Sequence, residues 1–156
     1  MEIIYKTGNL LDSQTNIIAH QVNCQGVMGS GVAKAVKDKF PQVFNAYVQF
    51  VNSYPTVLGQ TQVVKVSDNQ HIANLFGQYN YGTSGERFTS YDAIDTALSR
   101  LKYFMMENNL NSISFPYKMS SDRGGADWDV ILALINSSFK DTEITIEIWS
   151  LNGYPA

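Results

Sequence analysis

Two stretches of the chain gather the side chains and turns from which chemistry can be built. Asn16 to Pro41 reads NIIAHQVNCQGVMGSGVAKAVKDKFP, and Tyr117 to Asp127 reads YKMSSDRGGAD. Each follows a short apolar run, carries glycines, and leads into a helical periodicity. A glycine-rich turn that opens a helix presents backbone N–H groups at the positive end of the helix dipole. Gly29, Ser30, Gly31 and Val32 can therefore hold a phosphate or pyrophosphate without a basic side chain. Such turns also occur with no ligand, so this feature alone leaves anion binding and simple chain reversal both open. His20 titrates near neutrality and suits proton transfer, but in an apolar strand it reads equally as a packed core residue. Asp122 is either an acid–base group or a solvated turn residue. Arg123 either neutralises a phosphate or lies in solvent. Asp127 reads as an N-cap or first-turn acid before Trp128. Cys24 is the only cysteine and lacks an activating neighbour, so it reads as inert. No Cys/His cluster suits zinc, and neither a metal nor a cofactor is expected.

The elements that must position these groups follow from periodicity. Glu2 to Lys6 reads as a strand ended by Thr7-Gly8-Asn9, and Ile17 to Val22 as a second whose exit, His20-Gln21-Val22-Asn23, faces the following loop. Val32, Val36 and Phe40 recur at i, i+4 and i+8 from Gly31 to Pro41, and Phe44, Tyr47, Val48 and Val51 make Gln42 to Asn52 a second helix. Thr61 to Val66 and Ile72 to Phe76 are further strands. Gln78 to Ser90 is a loop whose Tyr79, Tyr81 and Phe88 either stack on a ligand or pack as core. Ser90 caps a helix over Tyr91 to Asn108 with Ile94, Leu98, Leu101 and Met105 on its buried face. Ser112 to Pro116 is a strand, Trp128 to Phe139 a helix, and Thr142 to Ser150 a closing strand; Leu151 to Ala156 is a tail with no assigned role. The order β-β-α-α-β-β-α-β-α-β implies an α/β sandwich with a mixed, mainly parallel sheet. Both glycine loops then fall at carboxyl ends of strands and can face each other across one cleft.

With 156 residues, 44% apolar and 16% charged, and a mean hydropathy of −0.15, the chain suits one globular domain spanning 1–156. A domain this long buries about 70% of its unfolded surface, enough to stand without disulfides. No run approaches the roughly 18 apolar residues of a membrane span, and the N-terminus has no signal pattern, so a cytoplasmic, reducing location is expected. A net charge of −3 argues against an extended nucleic-acid surface and for a small nucleotide partner. A monomer is expected.

The motifs carry a resemblance. Thr7-Gly8-Asn9-Leu10-Leu11, the run His20-Gln21-Val22-Asn23-Cys24-Gln25-Gly26-Val27-Met28-Gly29-Ser30-Gly31-Val32-Ala33, and Pro116 to Trp128 together resemble a macrodomain, the ADP-ribose-binding module. The likeness is to the branch of ADP-ribose 1″-phosphate phosphatases and small terminal ADP-ribose glycohydrolases, whose compact versions include bacterial and bacteriophage proteins; for a viral chain the compartment would be the host cytoplasm. The fold implied is a three-layer α/β/α sandwich. Gly8-Asn9-Leu10 resembles the Gly-Asp-Ile element that holds adenine, with Asn9 replacing an aspartate. Asn23 resembles the asparagine on the distal ribose. The Gly29 to Val32 turn resembles the first phosphate loop, and Gly26 and Met28 of the same motif are expected among the ligand-binding residues. Ser120, Ser121, Arg123, Gly124, Gly125 and Ala126 resemble the second.

The chain also departs from the family. Ser120-Ser121-Asp122 stands where many relatives have Gly-Cys-Gly. Gly124 stands where the glycohydrolases have their catalytic aspartate, and Phe76-Gly77-Gln78 where their lysine falls. His20 matches the histidine that phosphatase relatives place before the first motif. The resemblance implies binding of ADP-ribose or ADP-ribose 1″-phosphate, with metal-free release of phosphate by water held near His20 or Asp122. The alternatives are a non-catalytic binding module and a hydrolase that removes ADP-ribose from protein or nucleic acid.

Overall fold

The computed structural model describes residues 1–155. Six strands form one sheet in the order β1-β6-β5-β2-β4-β3, from β1 (Glu2–Thr7), β2 (Ile17–Val22), β3 (Thr61–Ser67), β4 (Gln70–Phe76), β5 (Ser112–Pro116) and β6 (Thr145–Ser150). All neighbours are parallel except β3, which returns antiparallel along β4 at the edge. The helices are α1 (Gly31–Lys39), α2 (Pro41–Ser53), α3 (Tyr91–Glu107) and α4 (Trp128–Phe139). This is the mixed, mainly parallel α/β sandwich that the sequence implies.

Side-chain alternation sorts the strands onto two faces. Ile17, Ala19, Ala73, Leu75, Ile113, Phe115, Ile146 and Ile148 pack with Ile94, Leu98 and Leu101 of α3 and Ile131, Ile135 and Phe139 of α4. On the other face Ile18 and Ile72 meet Val36 and Val43 of α1 and α2, while Val22, Met28 and Phe76 enclose Tyr47. Ser90 and Asp127 cap α3 and α4, accepting from the amides of Ala93 and Asp129. That settles Asp127 as a cap.

One strand boundary shifts, and two segments without an assigned structure acquire one. Leu10–Asp12 forms a 3₁₀ turn, because Asn9 Oδ1 accepts from the Leu11 amide. β6 begins at Thr145 rather than Thr142: the Thr142 hydroxyl closes the end of α4 by donating to the Phe139 carbonyl and accepts from the Ile144 amide, so these residues are held out of the sheet. Of the tail, which carries no assigned role, residues 151–155 are held against the sheet, and Ala156 lies outside the described residues. Tyr154 lies within hydrogen-bond reach of the Lys6 and Ile148 carbonyls at 2.6 and 2.7 Å and packs edge-on against Tyr5 and Tyr117.

β2 and β5 are neighbours for only two pairs, Ile17 with Ile113 and Ile18 with Ser114, and then part. After β2 the chain runs to β3 and β4 on one side, and β5 and β6 lie on the other. The carboxyl ends of β2 and β5 therefore diverge at the point where the strand order reverses, the place where parallel sheets open a ligand crevice.

Candidate functional site

That divergence holds a cleft of about 560 Å³, within the size range of small-ligand sites. One wall is the turn into α1, with Gly29, Ser30, Gly31, Val32 and Ala33; the facing wall is Lys118, Met119, Ser120, Asp122, Arg123 and Gly124. Ser30 occupies the N-cap position of α1 without making a side-chain cap bond, so its hydroxyl and the first amides of the helix remain uncommitted toward the cleft. The facing loop is shaped by residues with left-handed backbone, Lys118 at φ 60° and Ser120 at φ 69°, a conformation that costs non-glycine residues energy and concentrates at ligand sites.

A second hollow of about 770 Å³ adjoins the first and shares Gly31, Val32, Pro116, Tyr117 and Lys118 with it. Gly8, Asn9, Leu10, Leu11, Ala35, Trp149, Ser150 and the tail residues Leu151 to Pro155 complete its lining. Gly8 has φ 141°, and a Cβ there would lie 3.3 Å from the Trp149 ring, so the absence of a side chain lets the backbone run against the indole. The tail, which carries no role legible in its residue types, thus forms part of the wall.

His20 lines the floor of the first cleft, only 1% exposed. Burial pushes its pKa down to about 4, against a smaller opposing effect of the hydrogen bond to Asn74, so it is neutral at neutral pH. Nε2 lies 2.7 Å from Asn74 Oδ1, and Nδ1 is buried with no partner. Asp122 and Arg123 are exposed on the opposite wall. Burial pushes the Cys24 thiol up to about 11, and Sγ donates to the Gln78 carbonyl.

The other sequence candidates divide. Asn23 lines the cleft, but its side chain also shapes the turn, accepting from the Gln25 amide and donating to the Val27 carbonyl at 2.9 and 2.8 Å. The Tyr47 hydroxyl lies between the Asn23 carbonyl and Oδ1 at 2.7 and 2.8 Å. Met28 is not a lining residue; it is 1% exposed and anchors the turn in the core. Gly26, at φ 79°, provides the turn and stays outside the lining. Ser121, Gly125 and Ala126 also fall outside it. The Ser121 and Ala126 amides are consumed by the Lys118 and Ser120 carbonyls, and Gly125 packs against the backbone of Glu86 and Arg87. The two glycine loops are therefore not equivalent, because only the first presents its helix terminus to the cleft. Of the loop aromatics, Tyr81 lines the cleft, Tyr79 is exposed, and Phe88 packs against Gly82.

Gln21 has no role legible from sequence, yet it joins three segments beneath the second loop. Its Nε2 donates to Gln78 Oε1 at 2.6 Å and Thr89 Oγ1 at 2.8 Å, and its Oε1 accepts from Ser120 Oγ at 2.6 Å. Thr89 in turn donates to the Ser120 carbonyl. Gly124 sits against this network. A Cβ there would overlap Thr89 Oγ1 and stand 2.5 Å from the Ser120 carbonyl oxygen, so no side chain fits. A polar residue in the β2 exit is the only sequence signal for Gln21. Among the described residues no group of three or more His, Cys, Asp or Glu stands close enough to hold a metal, and no helix is long and apolar enough to cross a membrane.

A DNA ADP-ribosyl glycohydrolase of Mycobacterium tuberculosis is 29% identical over 141 residues, 88% of this chain; the chain spans only 39% of that relative's length. An ADP-ribose 1″-phosphate phosphatase of Saccharomyces cerevisiae is 31% identical over 108 residues, 65% of this chain and 61% of the relative. The solved macrodomain of Mycobacterium tuberculosis DarG superimposes with a TM-score of 0.82 at 27% identity, covering 94% of this chain and 96% of that one. The model of the Macro domain family matches residues 19–135, which take in most of β2, both cleft walls and most of α4. The chain belongs to the Macro domain family.

Proposed function

We propose that the cleft binds ADP-ribose-type nucleotides, with pyrophosphate between the Gly29 to Val32 turn and the Lys118 to Gly124 loop and adenosine in the second hollow, and that the chain releases phosphate from ADP-ribose 1″-phosphate. The observation that carries the binding reading is the uncapped start of α1, aimed across the β2–β5 parting at a strained loop. Backbone N–H groups and a helix dipole suffice there for an anion, and Arg123 stands on the facing wall. Neutral His20 supports the chemistry. Its vacant Nδ1 lone pair accepts a proton from water as that oxygen bonds to phosphorus; the phosphorus–oxygen bond to C1″ breaks with its electron pair on the leaving oxygen, which takes a proton from solvent. A base with a pKa of about 4 is weak, so positioning and amide donors supply most of the acceleration and turnover is slow.

A second reading, removal of an ADP-ribosyl group from a macromolecule, is favoured by the name of the mycobacterial relative. Against it stands Gly124, packed so closely that no acid fits at that position. The test is phosphate release from ADP-ribose 1″-phosphate with a chelator present, run beside ADP-ribosylated protein and ADP-ribosylated DNA, for the wild type, His20→Ala and Asp122→Ala. Phosphate release that falls in His20→Ala supports proton transfer by the histidine. A fall only in Asp122→Ala moves that role to the second loop, and release of ADP-ribose from the macromolecules alone establishes the second reading.

A further inference from the structure

Behind His20 runs a chain of polar side chains whose direction is fixed from its far end. The Ala46 carbonyl in α2 can only accept, and Gln62 Nε2 donates to it at 2.9 Å. Gln62 must therefore present Oε1 to β4, where it accepts from Asn74 Nδ2 at 3.0 Å. Asn74 is fully buried, and with its amide nitrogen committed it must present Oδ1 to His20, its partner across the parallel β2–β4 ladder. An amide oxygen accepts and cannot donate. The proton of the imidazole is thus required on Nε2, and Nδ1 is left as a bare lone pair, buried and unanswered by any protein group, in a ring that lines the cleft floor.

We infer that Asn74, oriented by Gln62, is a positioning residue that holds His20 as the Nε2–H tautomer and so makes Nδ1 the hydrogen-bond acceptor for a hydroxyl or water brought to the cleft floor. The inference rests on the proposed phosphatase chemistry for its use, but not for its existence. A tautomer locked in this way is ready to accept a proton before any ligand arrives, with no ring rotation or proton shift required during reaction. The anchor lies outside the cleft, so the device can be disturbed without touching a ligand.

The experiment is ¹H–¹⁵N correlation of the imidazole nitrogens in ligand-free protein, paired with phosphate release. The chain has two histidines, and His20→Gln assigns the signals. The wild type should show protonated Nε2 and unprotonated Nδ1. Gln62→Leu frees Asn74 to turn its amide, and Asn74→Leu removes the acceptor; both should give mixed tautomers and about a tenfold loss of phosphate release. Asn74→Asp restores an acceptor and should restore the tautomer. Protonated Nδ1 in the wild type, or an unchanged tautomer in folded Gln62→Leu and Asn74→Leu, overturns the inference. Should Asn74→Leu not fold, Gln62→Leu decides alone. If the tautomer responds as expected while the wild type releases no phosphate, the phosphatase reading fails and the positioning role stands.

Discussion

Lowering the pH should destabilise this protein through one histidine more than through any surface group. Burial holds His20 at a pKa of about 4 in the folded chain, against 6.5 when unfolded. Between those values the unfolded chain holds a proton that the folded chain does not, so stability falls as pH falls. The contribution is fully present above about pH 6.5 and lost by about pH 4. A gap of this size, at 1.36 kcal/mol per unit, corresponds to about 3 kcal/mol, a large fraction of the roughly 5–15 kcal/mol that stabilises a typical domain. Urea unfolding at pH 7 and pH 4, for the wild type and His20→Gln, isolates the effect. His71, also lowered by burial, and the carboxylates are common to both proteins and cancel. The wild type should lose about 3 kcal/mol more than the variant over that interval. Losses that agree within about 0.5 kcal/mol, the usual error of additivity, would refute the account of His20 as buried and neutral.

Other perturbations test the cleft. Gly29→Glu is the cleanest block to the phosphate turn: a Cβ there meets only Val27 Cγ1 at 3.5 Å and the backbone is not left-handed, so calorimetry should show ADP-ribose binding lost in a protein of unchanged fold. Gly31→Glu should do the same at a cost of about 1–2 kcal/mol, because φ is 60° there. Asn9→Ala removes the cap on Leu11 and should cost about 1 kcal/mol in urea unfolding; calorimetry should show it weakening ADP-ribose more than ribose 5-phosphate, since Asn9 lines only the second hollow. Gly124→Ala forces a methyl onto the Ser120 carbonyl and Thr89 and should lower stability by about 1–3 kcal/mol, read from the urea midpoint. Phosphate release should hold steady from about pH 8 to 5 and fall near pH 4 as His20 takes up a proton, with no inflection at 6.5.

The elements were legible in the sequence because each rests on local physics. Apolar period placed α1 to α4, β-branched runs placed the strands, and Ser90, Asp127, Pro41 and the glycines marked the ends. The motif at His20 to Ala33 was long enough to indicate the family, and the Gly29 to Val32 turn stands in the cleft wall as its residue types implied. What the sequence did not determine depends on groups far apart in the chain. His20 is neutral because the surrounding core excludes water, outweighing the opposing hydrogen bond to Asn74, 54 residues away, and burial is a property of the packed sheet. Gln21 acquires its role from Gln78, Thr89 and Ser120, up to 99 residues distant, and a lone glutamine carries no periodicity to reveal that. Met28 and Ala126 look like loop residues in sequence, yet the fold turns one into the core and uses the other's amide internally. The tail becomes a wall only because Tyr154 finds the carbonyls of Lys6 and Ile148. The cleft itself exists because β2 and β5 pair for two residues and then diverge, a feature of strand order that only the assembled sheet expresses.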